Sequence, residues 1–416
     1  MARSITRRTV AASSTALLLL ATAACGAKTG EGTAAAADSC VDTSGDEIKV
    51  GFLNSLSGTM AISETTVNKS LKMAADEINA DGGVLGKQLS VVSEDGASEP
   101  TVFAEKATKL IQQDCVAAVF GGWTSSSRKA MLPVFEGNDA LLFYPVQYEG
   151  LESSDNIFYT GATTNQQIVP ALDWLKDEKK IKSIYLVGSD YVFPRTANKI
   201  IKAYAAANGI EVKGEQYQPL GSTSFGSVVD KVKAADADAV FNTLNGDSNV
   251  AFFKEYKGKG LTAQEMPVLS VSIAEEEVPG VGVANLKGQY TAWNYYQTLR
   301  SKENSTFVAD FKKANGAKAV TSDPMEAAYT SLHLWKAMVE KAGSFDVPKV
   351  QAAADGVTYD APEGTVTVNG DNHHIAKTAH IGQVRDDGLI ESVWSSKEPI
   401  EPDPYLEDYS WWKAND

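Results

Sequence analysis

Short apolar strands alternate with helices of ten or more residues along most of the chain from Ile48. The strand-like run IKVGFL is followed by the helical pattern KSLKMAADEINADGG, which stops at two glycines. The same order repeats through the run MPVLSVSIA. Helices between successive strands indicate βαβ units and parallel sheets covered on both faces. There are too many strands for one sheet, so the sequence predicts an α/β protein with two sheets.

Length and charge narrow the class of protein further. The chain has 416 residues and a formal net charge of −15. A single hydrophobic core stops growing at about 250–300 residues, so two lobes are expected. Affinity for nucleic acid depends on neutralising phosphates, and an acidic chain without a run of Lys or Arg is not suited to it. We therefore expect no nucleic-acid partner.

The first 25 residues have the pattern of an export signal. Arginines precede a short apolar run of leucines, and small residues lead to Cys25. A Cys directly after TAA resembles a bacterial lipobox, so Cys25 is the predicted site of lipid attachment. The pair Arg7 and Arg8 is also compatible with twin-arginine export, which leaves the export route open. Residues 26–46 are small and polar and are predicted to form a flexible tether.

Cys40 and Cys115 are the two cysteines that remain if Cys25 carries lipid. Outside the cytoplasm an even pair of cysteines is typical of a disulfide. Each residue lies just before a predicted strand, so the two can approach each other. The sequence predicts a bridge between them, with two separate buried thiols as the alternative.

The candidate site follows from the loops at the ends of the predicted strands, because open parallel sheets bind ligands beyond the carboxyl ends of their strands. These loops are rich in hydroxyls, amides, glycines and aromatic rings, and they contain no His or Cys. Such a lining suits a neutral polar ligand. Glu275 and Glu276 are interpreted as a solvated helix start, beside a favourable helix dipole.

Enzyme and metal motifs are missing from the sequence. There is no GxSxG, HExxH, GxxxxGK[ST] or GxGxxG motif. His373, His374 and His380 form a cluster, but adjacent residues of a strand point to opposite faces, so a metal site is not expected. The chain is predicted to be a binding protein without a cofactor, a metal or an enzymatic activity.

Several of these loops carry a family resemblance. The runs GGWTSSSRKAMLPVFE, LLFYPVQYEGLESSDNIFYTGATTNQQ, GSDYVFPRTAN, FNTLNGDSNVAFF, GQYTAWNYYQ and NHHIAKTAHIG resemble the urea and short-chain-amide receptors of ABC uptake systems. These receptors belong to the type I periplasmic-binding-protein superfamily, together with branched-chain amino-acid receptors. The resemblance extends from about Ile48 to Tyr405. It implies two Rossmann-like lobes with parallel sheets, joined by three hinge crossovers, that close over the ligand.

We divide the chain into six segments on this basis. They are the signal peptide and lipobox (1–25), the tether (26–46), the first part of lobe I (47–160), the first part of lobe II (161–288), the second part of lobe I (289–362), and the second part of lobe II with the tail (363–416).

The resemblance also implies ligand contacts. Amide receptors use a Ser in the loop WTSSS, which points to Ser125 with Thr124 beside it, and tyrosines at the positions of Tyr144 and Tyr191. The sequence PVQYEG, with Gln147, is characteristic of the urea branch. Asn245 and Ser272 correspond by order along the chain. The chemistry of urea adds Trp123 as a stacking surface and Asp247, or Asp190 as the alternative, as an acceptor of N–H bonds.

The sequence thus predicts an extracytoplasmic receptor, anchored to the outer face of the cell membrane by lipid on Cys25. Its expected ligand is urea, and its expected partners are ABC permease subunits with their ATPases. The alternative is a receptor for short-chain amides or branched-chain amino acids, in uptake or sensing.

Overall fold

The computed structural model describes residues 39–413. The predicted signal segment 1–25, with the lipid attachment at Cys25, and residues 26–38 of the predicted tether lie outside the described residues. Within 39–413, no helix is both long enough and apolar enough to cross a membrane.

The strands form two large sheets and one small one. The first five strands make a parallel sheet: β1 (Glu47–Asn54), β2 (Gln88–Asp95), β3 (Val119–Gly121), β4 (Leu142–Tyr144) and β5 (Ile157–Tyr159). The next five belong to a second sheet: β6 (Ser183–Ser189), β7 (Glu211–Gln218), β8 (Ala239–Thr243), β9 (Val268–Ser270) and β10 (Tyr290–Trp293). Three form the small sheet: β11 (Thr358–Ala361), β12 (Gly364–Val368) and β13 (Ile375–Ala376). Two more complete the second sheet: β14 (His380–Val384) and β15 (Ile390–Ser395).

Helices connect and cover these sheets. They are α1 (Ala61–Ala80), α2 (Pro100–Gln112), α3 (Ser125–Gly137), α4 (Ile168–Asp177), α5 (Val192–Ala207), α6 (Gly226–Ala235), α7 (Ser248–Gly258), α8 (Val278–Val281), α9 (Val283–Leu286), α10 (Lys302–Asn315), α11 (Asp323–Ala342), α12 (Val347–Ala353) and α13 (Ser410–Lys413).

Both large sheets reverse their strand order once. The order is β2-β1-β3-β4-β5 in the first sheet and β15-β14-β10-β9-β8-β6-β7 in the second. Strands β1 to β5 and β6 to β10 pair in parallel, whereas β14 and β15 add to the second sheet in antiparallel pairing. The reversals fall between β1 and β3 and between β6 and β8, and such switch points are where open α/β sheets bind ligands.

Each lobe has its own core. In the first lobe, buried side chains of β1, β3 and β4 pack with those of α1, α2 and α11. In the second lobe, α4 and α5 cover one face of the sheet, and α6 and α7 cover the other. Burial on both faces explains why these strands are continuous apolar runs in the sequence. The predicted two-lobed α/β fold is confirmed.

Two predicted segment boundaries differ from the structure. Strand β10 was assigned to lobe I with segment 289–362, but it pairs with β9 and β14 in the second sheet. Strands β12 and β13 were assigned to lobe II with segment 363–416, but Val366, Val368 and Ile375 pack in the core of the first lobe. Strand pairing decides the first assignment and core packing decides the second, and neither contact between distant segments is visible in a local pattern.

The chain therefore crosses between the lobes three times, after β5, after β10 and after β13. One side chain connects the three crossings. Asn294 Nδ2, in the second crossing, donates to the carbonyl oxygens of Gln166 (3.2 Å) near the first and Thr378 (3.0 Å) in the third. Asp323 Oδ2, at the start of α11, accepts from the amide of Asn294 at 2.8 Å.

A disulfide joins Cys40 to Cys115, with a Cα–Cα distance of 5.3 Å. It ties the segment before β1 to the loop between α2 and β3 and spans 75 positions of sequence. A cross-link stabilises mainly by restricting the unfolded chain, and the effect grows with the length of the closed loop.

Replacing both cysteines, as Cys40→Ser with Cys115→Ser, is expected to lower the free energy of unfolding by about 2–4 kcal/mol. Thermal unfolding of the purified protein measures the loss, and wild type under reducing conditions should lose a similar amount. Equal unfolding midpoints for oxidised wild type and the double variant would contradict the prediction.

Candidate functional site

The predicted site residues all lie at the carboxyl ends of parallel strands. Those of the first lobe follow β3 and β4, and those of the second lobe follow β6, β8 and β9: Trp123, Thr124, Ser125, Tyr144 and Gln147, then Tyr191, Asn245, Asp247 and Ser272. The two sets border a cleft between the lobes.

Gln147 connects the two walls of this cleft. Its Nε2 donates to the carbonyl oxygen of Val271 at 2.8 Å and to Ser272 Oγ at 3.0 Å, just after β9. Its Oε1 is buried without a hydrogen-bond partner. The structure thus brings together Gln147 and Ser272, and it leaves one acceptor of the amide unused.

The lobes also touch at the cleft rim, so the cleft is closed. Ser63 Oγ, in the first turn of α1, donates to Glu277 Oε1 at 2.5 Å. The loop before α1 approaches the second lobe so closely that a Cβ on Gly246 would lie 2.7 Å from the carbonyl oxygen of Thr59. A side chain at this glycine would hold the lobes apart.

Trp123, Tyr144 and Tyr191 supply the aromatic surfaces. The Tyr144 hydroxyl donates to the carbonyl oxygen of Trp123, so towards a ligand it can only accept. Trp123 Nε1 is buried and has no partner. Burial raises the pKa of Tyr144, and the pKa of Tyr191 is raised by burial and then by Tyr144, so both phenols stay protonated at neutral pH.

Thr124 and Ser125 are largely occupied by contacts within the protein. Thr124 caps α3, because its Oγ1 accepts from the amide of Ser127 at 3.0 Å. Ser125 Oγ donates to Glu149 and accepts from Arg128 Nη1 at 3.1 Å. The proton of the Ser125 hydroxyl is therefore used, and the oxygen can only accept from a ligand.

Arg128 organises a buried ionic cluster behind this wall. Its Nε contacts Glu152 Oε1 at 2.6 Å and its Nη2 contacts Glu149 Oε1 at 3.2 Å. The guanidinium lies 4.5 Å from the ring centroid of Tyr148. Burial alone would raise the pKa of Glu152, but the charge and hydrogen bond of Arg128, followed by Lys129, lower it to about 2. This cluster is not predictable from the sequence, since nothing in the local pattern marks Arg128 as buried.

The side chains of Asn245 and Asp247 do not join the other predicted site residues. Asn245 Nδ2 donates to the carbonyl oxygen of Thr243 at 3.3 Å within its own loop. Asp247 is exposed at the start of α7. The structure places both beside the cleft but does not bring their side chains to Gln147 or Tyr144.

Glu64 and Asn54 belong to the cleft and were missed as individual residues. Glu64 is 1% exposed, its Oε2 accepts from the amide of Ser55 at 2.6 Å, and its Oε1 has no partner. Asn54, the last residue of β1, is fully buried with both amide atoms unpartnered. Their positions in the sequence could have indicated them, because Asn54 ends a predicted strand and Glu64 lies in the first turn of the helix that follows it.

The acidic run Glu275, Glu276 and Glu277 is buried rather than solvated, so the interpretation as an exposed helix start was wrong. Glu277 is held by Ser63 from the other lobe, and Glu275 Oε1 accepts from the amide of Gln297 at 2.8 Å. Closure of the lobes buries this run, and a local sequence pattern does not report such an interlobe contact.

The histidine cluster serves packing. His374 stacks on Tyr159 with ring centroids 4.3 Å apart, and its Nε2 lies 2.5 Å from the Tyr148 hydroxyl. His380 Nδ1 lies 2.9 Å from Ser392 Oγ. No group of three or more His, Cys, Asp or Glu between residues 39 and 413 has an arrangement that could hold a metal ion.

Buried polar atoms without a partner lie in the cleft. The acceptors are Gln147 Oε1 and Asn54 Oδ1, and the donors are Trp123 Nε1 and Asn54 Nδ2; Glu64 Oε1 is an acceptor when the carboxyl is ionised and a donor when it is protonated. Among the described residues, the fully buried cations are Arg128 and Lys377, and each is paired with a carboxylate. A neutral ligand that both donates and accepts hydrogen bonds matches this set, because buried polar groups need partners.

A protein with two α/β lobes that close over a polar cleft and are joined by three chain crossings has the architecture of a solute-binding protein. A model of the family described as "Periplasmic binding protein domain" matches residues 48–410. The chain belongs to this family, and it is a solute-binding receptor of the kind that serves ABC transporters outside the cytoplasm.

Relatives and solved structures agree with this assignment. The Leu/Ile/Val-binding protein homolog 6 of Brucella melitensis is 27% identical over 354 residues, which cover 82% of this chain and 89% of the relative. A solute-binding protein of Rhodopseudomonas palustris HaA2, solved with p-hydroxybenzoic acid, is 26% identical with a TM-score of 0.78, covering 87% of this chain and all (100%) of the other. The branched-chain amino-acid receptor LivJ of Streptococcus pneumoniae, solved with isoleucine, shares the fold at 22% identity and a TM-score of 0.75, over 86% of this chain and 100% of the other.

Removing Arg128 tests the buried cluster. Arg128→Met leaves Glu149 and Glu152 buried without their main partner, and we expect the free energy of unfolding to fall by about 3–5 kcal/mol. The matched control is Lys129→Ala, which removes a partner of Glu152 whose side chain is 41% exposed and should cost less than about 1 kcal/mol. Equal losses in chemical denaturation would show that burial does not govern this cluster.

The buried carboxyls make stability depend on pH. Burial raises the pKa of Glu64 and Glu275 to about 8 and that of Glu277 and Glu326 to about 7. Because an unfolded Glu has a pKa of about 4.3, the folded state binds more protons, and stability is lost as the pH rises through 7 and 8. The thermal midpoint of the unliganded protein should fall from pH 5.5 to 8.5, with a shallower slope in Glu275→Gln. A midpoint that rises over this range would contradict the prediction.

Proposed function

We propose that this protein is a lipid-anchored receptor that binds urea in the cleft between its lobes and delivers it to an ABC permease driven by ATPase subunits. The observation that carries the ligand proposal is the set of buried donors and acceptors without partners in the cleft. Urea has one carbonyl acceptor and four N–H donors, so it can pair with both kinds. The resemblance of the PVQYEG loop to urea receptors supports the same ligand.

The cleft groups correspond to the parts of a urea molecule. Gln147 Oε1 and Tyr144 Oη accept N–H bonds, and Trp123 Nε1 donates to the carbonyl oxygen. The rings of Trp123, Tyr144 and Tyr191 provide flat surfaces for a planar ligand. At a ceiling of about 1.5 kcal/mol per heavy atom, four heavy atoms allow about 6 kcal/mol, or a Kd of tens of micromolar. Reaching this ceiling requires a closed cleft in which nearly every hydrogen bond is made.

The names of the relatives support a second candidate, a branched-chain amino acid. They describe proteins that bind leucine, isoleucine or valine, and another solved relative holds an aromatic acid. An amino acid would use the unpaired acceptors for its ammonium group. Its carboxylate, however, would meet two unpaired side-chain donors, Trp123 Nε1 and Asn54 Nδ2, and no unpaired buried cation among the described residues. We therefore place urea first.

The lipid anchor and the export signal rest on the sequence around Cys25. The permease and its ATPases follow from membership of the family, whose members hand a solute to such a transporter. In this proposal the protein meets the membrane only through its N-terminal lipid.

Calorimetric titration of the purified protein distinguishes the ligands. We expect saturable one-site binding of urea, weaker binding of acetamide, and none of leucine or 4-hydroxybenzoate. Gln147→Ala should weaken urea binding at least about tenfold, because it opens the cleft wall and removes a buried acceptor. Gln351→Ala is the matched control: its Nε2 also donates to a carbonyl oxygen, that of Asp155 at 2.7 Å, but outside the cleft. Saturation by leucine or 4-hydroxybenzoate alone would overturn urea as the ligand.

A further inference from the structure

Glu64 occupies an unusual position for a glutamate. It lies in the first turn of α1 and is 1% exposed. Its Oε2 accepts from the backbone amide of Ser55 at 2.6 Å, directly after β1 at the switch point of the first sheet. Its Oε1 is buried and has no hydrogen-bond partner in the protein. A buried carboxyl oxygen without a partner is costly unless a ligand or a proton satisfies it.

The surroundings of Glu64 place this free oxygen in the cleft. Asn54, the last residue of β1, has an unpartnered amide and lies against the backbone of Gly121, where a Cβ would approach Asn54 Oδ1 to 2.7 Å. The charge of Glu64 is among the causes that raise the pKa of Tyr144 in one lobe and of Tyr191 in the other. The carboxyl therefore lies near the phenols of both walls.

Among the described residues, no cation pairs with Glu64. Burial is the main cause that raises its pKa; hydrogen bonds from the amide and the side chain of Ser55 oppose the shift, and the charge of Asp95 at the end of β2 adds to it. The titratable groups that interact with it are Asp95, Tyr144 and Tyr191, and none of them is a cation. With a pKa of about 8 the group carries a proton at neutral pH in the closed form. A protonated carboxyl has one O–H donor beside one carbonyl acceptor.

We propose that Glu64 is the specificity-determining residue of the cleft and that it binds, as a neutral carboxylic acid, one amide group of the ligand. Its Oε1–H donates to the carbonyl oxygen of the amide, and its Oε2 accepts an N–H of the same amide. This inference rests on the proposed function and deepens it, because it states which chemical group the cleft selects.

This pairing distinguishes neutral amides from ions. An amide carries an acceptor and a donor side by side, which matches the donor and acceptor of a carboxylic acid. A carboxylate ligand has two acceptors, so it would leave the Oε2 of Glu64 facing a lone pair. An ammonium group has only donors and would require ionised Glu64. The arrangement therefore favours urea and short amides over amino acids and aromatic acids.

Two substitutions of Glu64 separate the neutral acid from the carboxylate. Glu64→Gln keeps one acceptor for the Ser55 amide and one N–H donor for the ligand, so urea should bind within about threefold of wild type. Glu64→Ala removes both groups and should weaken binding at least about tenfold. The matched control is Glu77→Gln on the same helix, whose carboxyl accepts from the Tyr329 hydroxyl away from the cleft and whose pKa is also raised by burial. Calorimetry with urea and acetamide provides the affinities, and thermal unfolding without ligand reports whether each variant is folded.

The dependence of urea affinity on pH distinguishes a direct role of Glu64 in binding from a purely structural role. Because the protonated form binds, wild-type affinity for urea should fall as the pH rises through about 8. Glu64→Gln has no proton to lose at this position and should make the fall shallower, because only Glu275, Glu277 and other buried acids still titrate in this range, whereas Glu77→Gln should keep the wild-type profile. This comparison does not depend on whether Glu64→Ala folds.

The outcomes separate this inference from the proposed function. If wild type binds neither urea nor acetamide, the proposed function fails, and the inference fails with it. If wild type binds urea but Glu64→Gln is as weak as Glu64→Ala, an ionised carboxylate is needed and the neutral-acid pairing is wrong. Urea binding by a folded Glu64→Ala at wild-type strength, or the same pH profile in Glu64→Gln as in wild type, would also overturn the inference while leaving the function in place.

Discussion

Asn294 stands in the second of the three chain crossings and donates hydrogen bonds to carbonyl oxygens at the other two. Lys377 adds a second tie, from the third crossing to the carbonyl oxygen of Thr160 in the first at 3.0 Å, while pairing with Glu363 at 2.6 Å. Bonds of this kind hold the crossings at one place, so the lobes can move only about a common hinge. These bonds between the crossings place the two cleft walls opposite each other, and the contacts across the cleft depend on that placement.

Burial of charge has different consequences behind the cleft and inside it. Behind the first wall, Arg128 is fully buried but paired with two carboxylates, and this satisfied cluster holds Ser125 and α3 in place. Inside the cleft, the carboxyl of Glu64 is buried with one oxygen unpaired, so it is held in its protonated form. In surroundings of low dielectric constant, an ion pair is held firmly and an acid without a partner becomes neutral. The paired Arg128 cluster therefore provides a fixed wall, and the unpaired Glu64 carboxyl remains available to a ligand.

Much of the fold follows from local patterns, but its long-range pairings do not. The alternation of strands and helices indicates parallel sheets, and the apolar strands β3 and β4 are buried as expected. Strand β10 was assigned to the wrong lobe, because a four-residue aromatic run does not reveal which sheet it joins. The position of the cleft was predicted correctly from the strand-end loops, and Gln147 and Ser272 form a hydrogen bond across it. Asp247, selected by the same rule, is exposed, and Glu64 was overlooked because it lies on a helix rather than in a loop.

The sequence by itself determined the class of the molecule: an α/β binding protein with two lobes, since hydrophobic period and chain length are local or additive properties. It also indicated which loops lie at the cleft, because parallel strands bring their carboxyl ends to one edge. Only the tertiary structure decided which polar groups are satisfied there. Whether Ser125, Tyr144 or Glu64 is free for a ligand depends on partners outside its own helix or strand, and burial, which shifts the protonation of each acid, exists only in the folded chain.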